Sequence, residues 1–265
     1  MFTNNISPKN RIRYLFSQYD DAIRYTDKFI GMLINKLREL DLLKKTLIIF
    51  TSDHGEEFFE HKKYDEPFNG HMRFLYDTLI KVPLIFHLPD KIKQNQVINE
   101  QVMSIDIYPT ILDILQIIKP GHLQGNSLLP FLKGDISKLK NKRPLAFSEE
   151  FFQRERISVR TENHKFILRK PMTNKAKEQT HYQGWSFSDS FNHPQKLLFD
   201  LKKDSAEQNN IIADNKTIET QMLKEIDLFQ QGNIINYKKF HSKNTSELEL
   251  DEGTKKRLRA LGYIN

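Results

Sequence analysis

The sequence predicts an α/β fold with a small antiparallel α+β part at its C-terminal end. An amphipathic helix that runs into a short β-branched strand, and a second buried strand after a polar loop, indicate the first part. From about residue 144, short strands with alternating apolar residues and turns between them indicate the second part. We therefore divide the chain into 1–143 and 144–265.

The first predicted helix covers residues 19–43 and leads directly into a strand. Its apolar residues recur at spacings of three and four, as in a helix that packs one face on a core. They are Ala22, Thr26, Phe29, Ile30, Leu33, Leu37 and Leu40. A short turn then precedes the strand Thr46–Phe50, and this order is typical of a mainly parallel sheet flanked by helices.

Two further elements follow a polar loop at residues 52–71. The segment 82–87 is predicted as a buried strand, with Pro83 near its start. Residues 104–117 are predicted as a helix that accommodates Pro109 in its first turn.

The C-terminal part is predicted to be an antiparallel sheet followed by a helix. Strands are expected within 144–151, 156–170 and 195–204, because each has alternating apolar residues between turn residues. Residues 215–231 are predicted to be helical.

Composition excludes several classes of protein and of site. The 41 Lys and Arg outnumber the 34 Asp and Glu, but they are dispersed along the chain, so we expect no nucleic-acid binding. The absence of cysteine excludes disulfides, thiolate metal sites and a cysteine nucleophile. No signal peptide or membrane span is expected in these 265 residues, and the compartment stays unknown.

The residues that point most directly to chemistry are Asp53 and His54, at the end of the first strand. Ligands of open α/β sheets lie outside the carboxyl ends of strands, and carboxylate and imidazole groups suit a divalent cation. The alternative is a surface turn in which Asp53 caps a helix, since Asp and His are common turn residues.

The segment "SDHGEEFFEH", followed by "GHMRFLYDTLIKVPLIF", resembles the sulfatase family of the alkaline phosphatase superfamily. The resemblance extends in family order from about residue 14 to 264, through "QGNSLLPFLKG", "SVRTENHKFI", "KLLFDLKKDSAEQNNI" and "RLRALGYI". It implies the second half of an alkaline-phosphatase-like domain in 1–143 and the sulfatase C-terminal subdomain in 144–265.

The resemblance also implies roles for individual residues. Asp53 and His54 would bind a divalent metal, most simply Ca²⁺, with Mn²⁺ or Zn²⁺ as alternatives. His71 would be the catalytic residue that contacts the sulfate or protonates the leaving group. His61 and Arg73 are possible substrate-side residues, with exposed loop positions as the alternative.

One part of the family's machinery has no counterpart in this sequence. A sulfatase nucleophile is a formylglycine made from the first residue of a Cys/Ser-x-Pro-x-Arg motif, and this chain has neither cysteine nor that motif. We therefore expect this chain to be a fragment with little activity of its own. A separate chain that supplies the missing N-terminal half is one expected partner.

Three functions remain open at this stage. The first is hydrolysis of sulfate esters. The second is a phosphodiesterase or phosphonate monoester hydrolase activity on the same scaffold. The third is a non-catalytic remnant or binding protein, which the missing nucleophile favours.

Overall fold

The computed structural model describes residues 8–61, 69–70, 74–135, 145–150, 156–169, 195–241, 252–253 and 255. The chain divides into two compact units, residues 1–226 and 227–265. The first unit contains all the strands described below.

Helix α1 spans Pro8–Glu39, so it begins earlier than the predicted residue 19 and ends before the predicted residue 43. Asp41 ends it, because this residue takes a left-handed conformation with φ of 52°. The predicted apolar stripe is only partly buried, since Phe29 and Leu33 remain about half exposed. Along α1, an unusually large number of apolar side chains are exposed: Tyr14, Phe16, Tyr19, Ile23, Tyr25, Phe29, Met32 and Leu33.

Strand β1, Ile48–Thr51, follows a 3₁₀ turn at Leu43–Lys45 and pairs with a strand from further along the chain. The short strands β2, Glu57–Phe58, and β3, Asn69–Gly70, pair with each other. Helix α2, Asp77–Ile80, precedes β4, Leu84–His87, which pairs with β1.

The pairing of β1 with β4 differs from the mainly parallel sheet that the sequence predicts. Every strand pair within the described residues is antiparallel. A parallel neighbour needs a crossover, usually through a long helix. In the described part of the connection between these two strands, the only helix is the four-residue α2.

An apolar cluster packs against strand β4 of the β1–β4 pair. The 3₁₀ turn Ser104–Asp106 leads into α3, Ile107–Ile114, which places Pro109 in the first turn as predicted. Helix α4 spans Leu129–Leu132. The cluster consists of Leu88, Ile92, Ile114, Leu128, Phe131 and Leu132, with Leu84 and Phe86 of β4 against it.

The predicted antiparallel sheet is confirmed. Its four strands occur in chain order and every neighbour is antiparallel. They are β5, Ala146–Glu150; β6, Arg156–Arg160; β7, His164–Arg169; and β8, Lys196–Asp200. Helix α5, Lys216–His241, follows the 3₁₀ turn Ile212–Asp214 and is longer than predicted.

One face of this sheet packs on residues that precede it by about 90 to 130 positions in the chain. Ile167, Leu197, Phe199 and Leu201 form one apolar core with Phe74, Leu75, Tyr76 and Leu79. The proposed division at 143/144 stays a prediction, and this core joins residues from both sides of it.

In the second unit, residues 227–241 continue α5, and residues 252, 253 and 255 are helical. Gln231 donates to the Asp227 carboxylate one turn before it, at 2.8 Å.

Candidate functional site

The candidate metal ligands lie in the loop 52–56, immediately after β1. Asp53 Oδ2 and His54 Nε2 are 3.7 Å apart, and the Asp53 side chain is 86% exposed. The His54 ring, followed by backbone hydrogen bonds, holds the pKa of Asp53 below its ordinary value, so the carboxylate is ionised at neutral pH.

Short-range hydrogen bonds orient both side chains. Asp53 Oδ1 accepts from the His54 backbone N–H at 3.0 Å, and the Ser52 hydroxyl donates to the His54 carbonyl at 2.7 Å. His54 Nδ1 lies 2.8 Å from the Gly55 carbonyl, which can only accept, so Nδ1 carries the proton. In the neutral ring, Nε2 therefore carries the lone pair, on the side of the Asp53 carboxylate.

The close approach of this loop to helix α2 requires a glycine at position 55. Its N–H donates to the Leu79 carbonyl at 2.7 Å, so the loop lies directly against the backbone of α2. A Cβ at this position would overlap the Thr78 carbonyl oxygen and lie 3.2 Å from Leu79 Cα. Only glycine permits this approach, because the neighbouring atoms are backbone and do not move aside.

The chain after the loop forms a buried polar pair. Glu57 is 2% exposed and His61 4% exposed. Glu57 Oε1 lies 2.9 Å from His61 Nδ1, and the Thr78 hydroxyl donates to Glu57 Oε2 at 2.6 Å. Glu57 is the first residue of strand β2.

His61 has contacts on both nitrogens and on a ring face. Nε2 lies 3.0 Å from the Ala206 carbonyl, and the ring stacks on Tyr76 at 3.6 Å between centroids. Both ring nitrogens face acceptor oxygens, and these contacts fix the orientation of the ring. The substrate-side interpretation of His61 stays a prediction, and these contacts favour a structural role.

The remaining predicted site residues, His71 and Arg73, lie outside the described residues. Asp53 and His54 are thus the predicted site residues that the structure brings together. Within the described residues, no group of three or more His, Asp or Glu side chains is arranged to hold a metal ion. The chemistry of this donor pair fits a divalent cation, and further donors are needed to complete its coordination.

Two family models match most of the chain. The profile "Sulfatase" matches residues 2–117, and "N-sulphoglucosamine sulphohydrolase, C-terminal" matches residues 60–232. The chain belongs to the sulfatase family. As a further comparison, arylsulfatase K of Gallus gallus is 32% identical over 241 residues, which cover 88% of this chain and 39% of that protein.

Solved structures show the same fold. A protein in complex with its substrate D-glucosamine-2-N,6-O-disulfate has a TM-score of 0.62 and 24% identity, covering 79% of this chain and 39% of that one. A phosphonate monoester hydrolase from Silicibacter pomeroyi has a TM-score of 0.57, 24% identity and the same coverage. The alkaline-phosphatase-like α/β fold expected of this sulfatase chain is confirmed. The chain spans about two fifths of the length of the curated relatives it matches.

Sequence reasoning missed the residues that hold the loop in place, including Glu57, Thr78 and Leu79. Their contacts join segments more than twenty residues apart, or use backbone atoms, which leave no pattern in the sequence. The one available signal was Gly55 itself, because a glycine beside candidate ligands indicates a close backbone approach.

Replacing Gly55 with alanine is expected to destabilise the protein by about 1–3 kcal/mol, because the added methyl group overlaps backbone atoms of α2. Urea denaturation measures the loss. Gly121→Ala is the matched control, since a Cβ there meets nothing within 4 Å. Equal stability of Gly55→Ala and Gly121→Ala would contradict the close approach.

The Glu57 carboxylate is expected to make stability depend on acid pH. Burial alone would raise the pKa of Glu57, but hydrogen bonds from His61 and Thr78 outweigh it, so this pKa lies below the ordinary 4.5. The unfolded chain therefore binds this proton more readily than the folded one. The stabilisation is complete above about pH 5 and is lost as pH falls through the folded-state pKa.

Chemical denaturation from pH 6 down to about pH 3 tests this with Glu57→Gln. The free energy of unfolding should fall more steeply in the wild type than in the variant. Glu60, whose pKa is raised by burial and also by the Glu57 carboxylate, acts in the opposite direction, and its effect is weaker in the variant. Glu39→Gln, at an exposed position, is the control. Parallel curves for wild type and Glu57→Gln would refute the role of this carboxylate.

Proposed function

We propose that this chain forms the C-terminal part of a metal-dependent sulfate ester hydrolase. The observation that carries the proposal is the loop after β1, in which Asp53 and His54 converge and Gly55 is held by α2. Membership of the sulfatase family supports it, as do curated relatives such as arylsulfatase K of Homo sapiens, 32% identical over 235 residues.

In this proposal each described ligand has one task. The ionised Asp53 carboxylate offsets the charge of the cation, and His54 presents Nε2 to it while Nδ1 donates to the Gly55 carbonyl. When bound, the metal would act as a Lewis acid that stabilises charge on the sulfate group. Carboxylate oxygen favours Ca²⁺, whereas imidazole nitrogen favours Zn²⁺ or Mn²⁺, so the pair is compatible with each.

We further propose that His71 and Arg73 act on the substrate side. An imidazole beside the leaving group can protonate the departing alkoxide, and a guanidinium attracts the sulfate anion. The nucleophile, a formylglycine by family resemblance, would come from the rest of the catalytic domain, because this sequence contains no Cys/Ser-x-Pro-x-Arg motif.

Exposed apolar surface supports a role for additional polypeptide. Phe50 and Ile85 are direct cross-strand partners in the β1–β4 pair, and they are 37% and 57% exposed. The exposed rings of α1 lie in the same compact unit. Exposed apolar side chains of this kind indicate an interaction surface, and we propose the first half of the catalytic domain as its occupant.

A second candidate function, hydrolysis of phosphonate monoesters or phosphate diesters, is kept because of the phosphonate monoester hydrolase structure of the same fold. The curated relatives cited above are named as sulfatases, which favours sulfate esters. A non-catalytic remnant or binding protein is the third candidate.

Within the part of the chain that the structure describes, no helix is both long and apolar enough to cross a membrane.

Hydrolysis of 4-nitrophenyl sulfate tests the proposal. With Ca²⁺, the chain alone should give no turnover, because it supplies no nucleophile. Turnover should appear when the chain is co-expressed with the part of arylsulfatase K that precedes the matched region. Asp53→Asn should then reduce kcat/KM by about 100-fold or more, since it removes charge next to the metal.

Asp41→Asn is the matched control, because Asp41 is a 93% exposed carboxylate at the end of α1. Activity of the complemented enzyme that survives Asp53→Asn would contradict the metal role. Faster turnover of bis(4-nitrophenyl) phosphate than of the sulfate would favour the second candidate. No turnover of either substrate after complementation would favour the non-catalytic one.

A further inference from the structure

A lysine occupies an inward-facing position in the middle of the four-stranded sheet. Lys165 on β7 is 0% exposed. It lies on the same face of the strand as Ile167, which belongs to the apolar core. In the sheet register it is opposite Arg160 on β6. Two cations directly opposite each other destabilise a sheet unless an anion lies between them.

Asp77, the first residue of α2, supplies that anion. Its carboxylate lies 2.9 Å from Lys165 Nζ and accepts two hydrogen bonds from Arg160, from Nε at 3.2 Å and from Nη2 at 3.1 Å. Burial alone would raise the pKa of Asp77, but Lys165 and Arg160 outweigh it and hold that pKa below its ordinary value. Asp77 therefore remains ionised between its two partners.

Glu207 completes this buried cluster from the segment after β8. One carboxylate oxygen lies 2.9 Å from Lys165 Nζ, and the other accepts from the Asp77 backbone N–H at 2.6 Å. Glu207 has a φ of 55°, an unfavourable conformation for a non-glycine residue that persists only where surrounding contacts impose it. Lys165 thus holds α2 through both the side chain and, by way of Glu207, the backbone of Asp77.

The position of α2 depends on such contacts. A helix of four residues has no stability of its own. Apolar burial of Tyr76 and Leu79 holds the segment on the sheet, but burial is non-directional and does not set one register. The ion cluster is directional, and so it can select the register in which the Thr78 and Leu79 carbonyls face Gly55.

We propose that Lys165 is a positioning residue for the loop that carries Asp53 and His54. Lys165 fixes the position of Asp77, the first residue of helix α2. Helix α2 in turn holds Gly55, and Gly55 is adjacent to the two candidate ligands. Its importance for catalysis rests on the proposed function, whereas the mechanical link itself does not.

The test is amide hydrogen exchange of Gly55, whose N–H donates to the Leu79 carbonyl. In Lys165→Met, which keeps the length of the side chain and removes its charge, Gly55 exchange should be about tenfold faster or more. Exchange of the backbone amides within the four-stranded sheet should accelerate much less than exchange of the Gly55 amide. Lys196→Met is the matched control, because Lys196, on the neighbouring strand β8, pairs with Glu219 of helix α5.

Two results would overturn the proposal: unchanged Gly55 exchange, or equal acceleration at Gly55 and throughout the sheet, which is general destabilisation. If Lys165→Met fails to fold, Asp77→Asn decides in the same way, since it removes the charge with little change of shape. The measurement needs neither metal nor substrate. An absence of metal binding would therefore refute the proposed function and leave this test intact.

Discussion

The structure depends on the packing of residues 74–79 against the four-stranded sheet. This segment supplies four apolar side chains to the main core, and its Asp77 is the shared partner of Lys165 and Arg160. Breaking such a buried ion pair by removing one partner is strongly destabilising, whereas the intact pair adds little net stability. Its value lies in specifying one arrangement of α2 on the sheet.

The same segment is where the fold and the candidate site meet. Tyr76 stacks on His61 and Thr78 donates to Glu57, while the carbonyl of Leu79 accepts from Gly55. Side chains of the segment thus fix the chain that follows the loop, and its backbone fixes the loop itself. The Asp53 side chain is 86% exposed, and its position beside His54 is maintained because the next residue, Gly55, is firmly held.

Sequence reasoning succeeded where the signal is local and failed where it is not. Strand β6 alternates apolar and polar residues around Ile157 and Val159, and turn residues follow it, so the antiparallel sheet was predictable. In β7 and β8, three consecutive residues are buried. The resemblance carried by "SDHGE" predicts Asp53 and His54 as metal ligands, and this assignment stays a prediction. The antiparallel partner of β1 was missed, because strand pairing is set by distant residues and periodicity does not report direction. The buried position of Lys165 was not predicted, and nothing local in the sequence identifies Asp77 as its partner.

The central claim is that Asp53 and His54 bind one divalent cation in a sulfatase-type site. Anomalous diffraction from crystals grown with Mn²⁺ tests it most directly. We expect an anomalous difference peak for Mn²⁺ about 2.0–2.5 Å from both the Asp53 carboxylate and His54 Nε2. A peak bound elsewhere on the ordered protein, with this loop unoccupied, would contradict it.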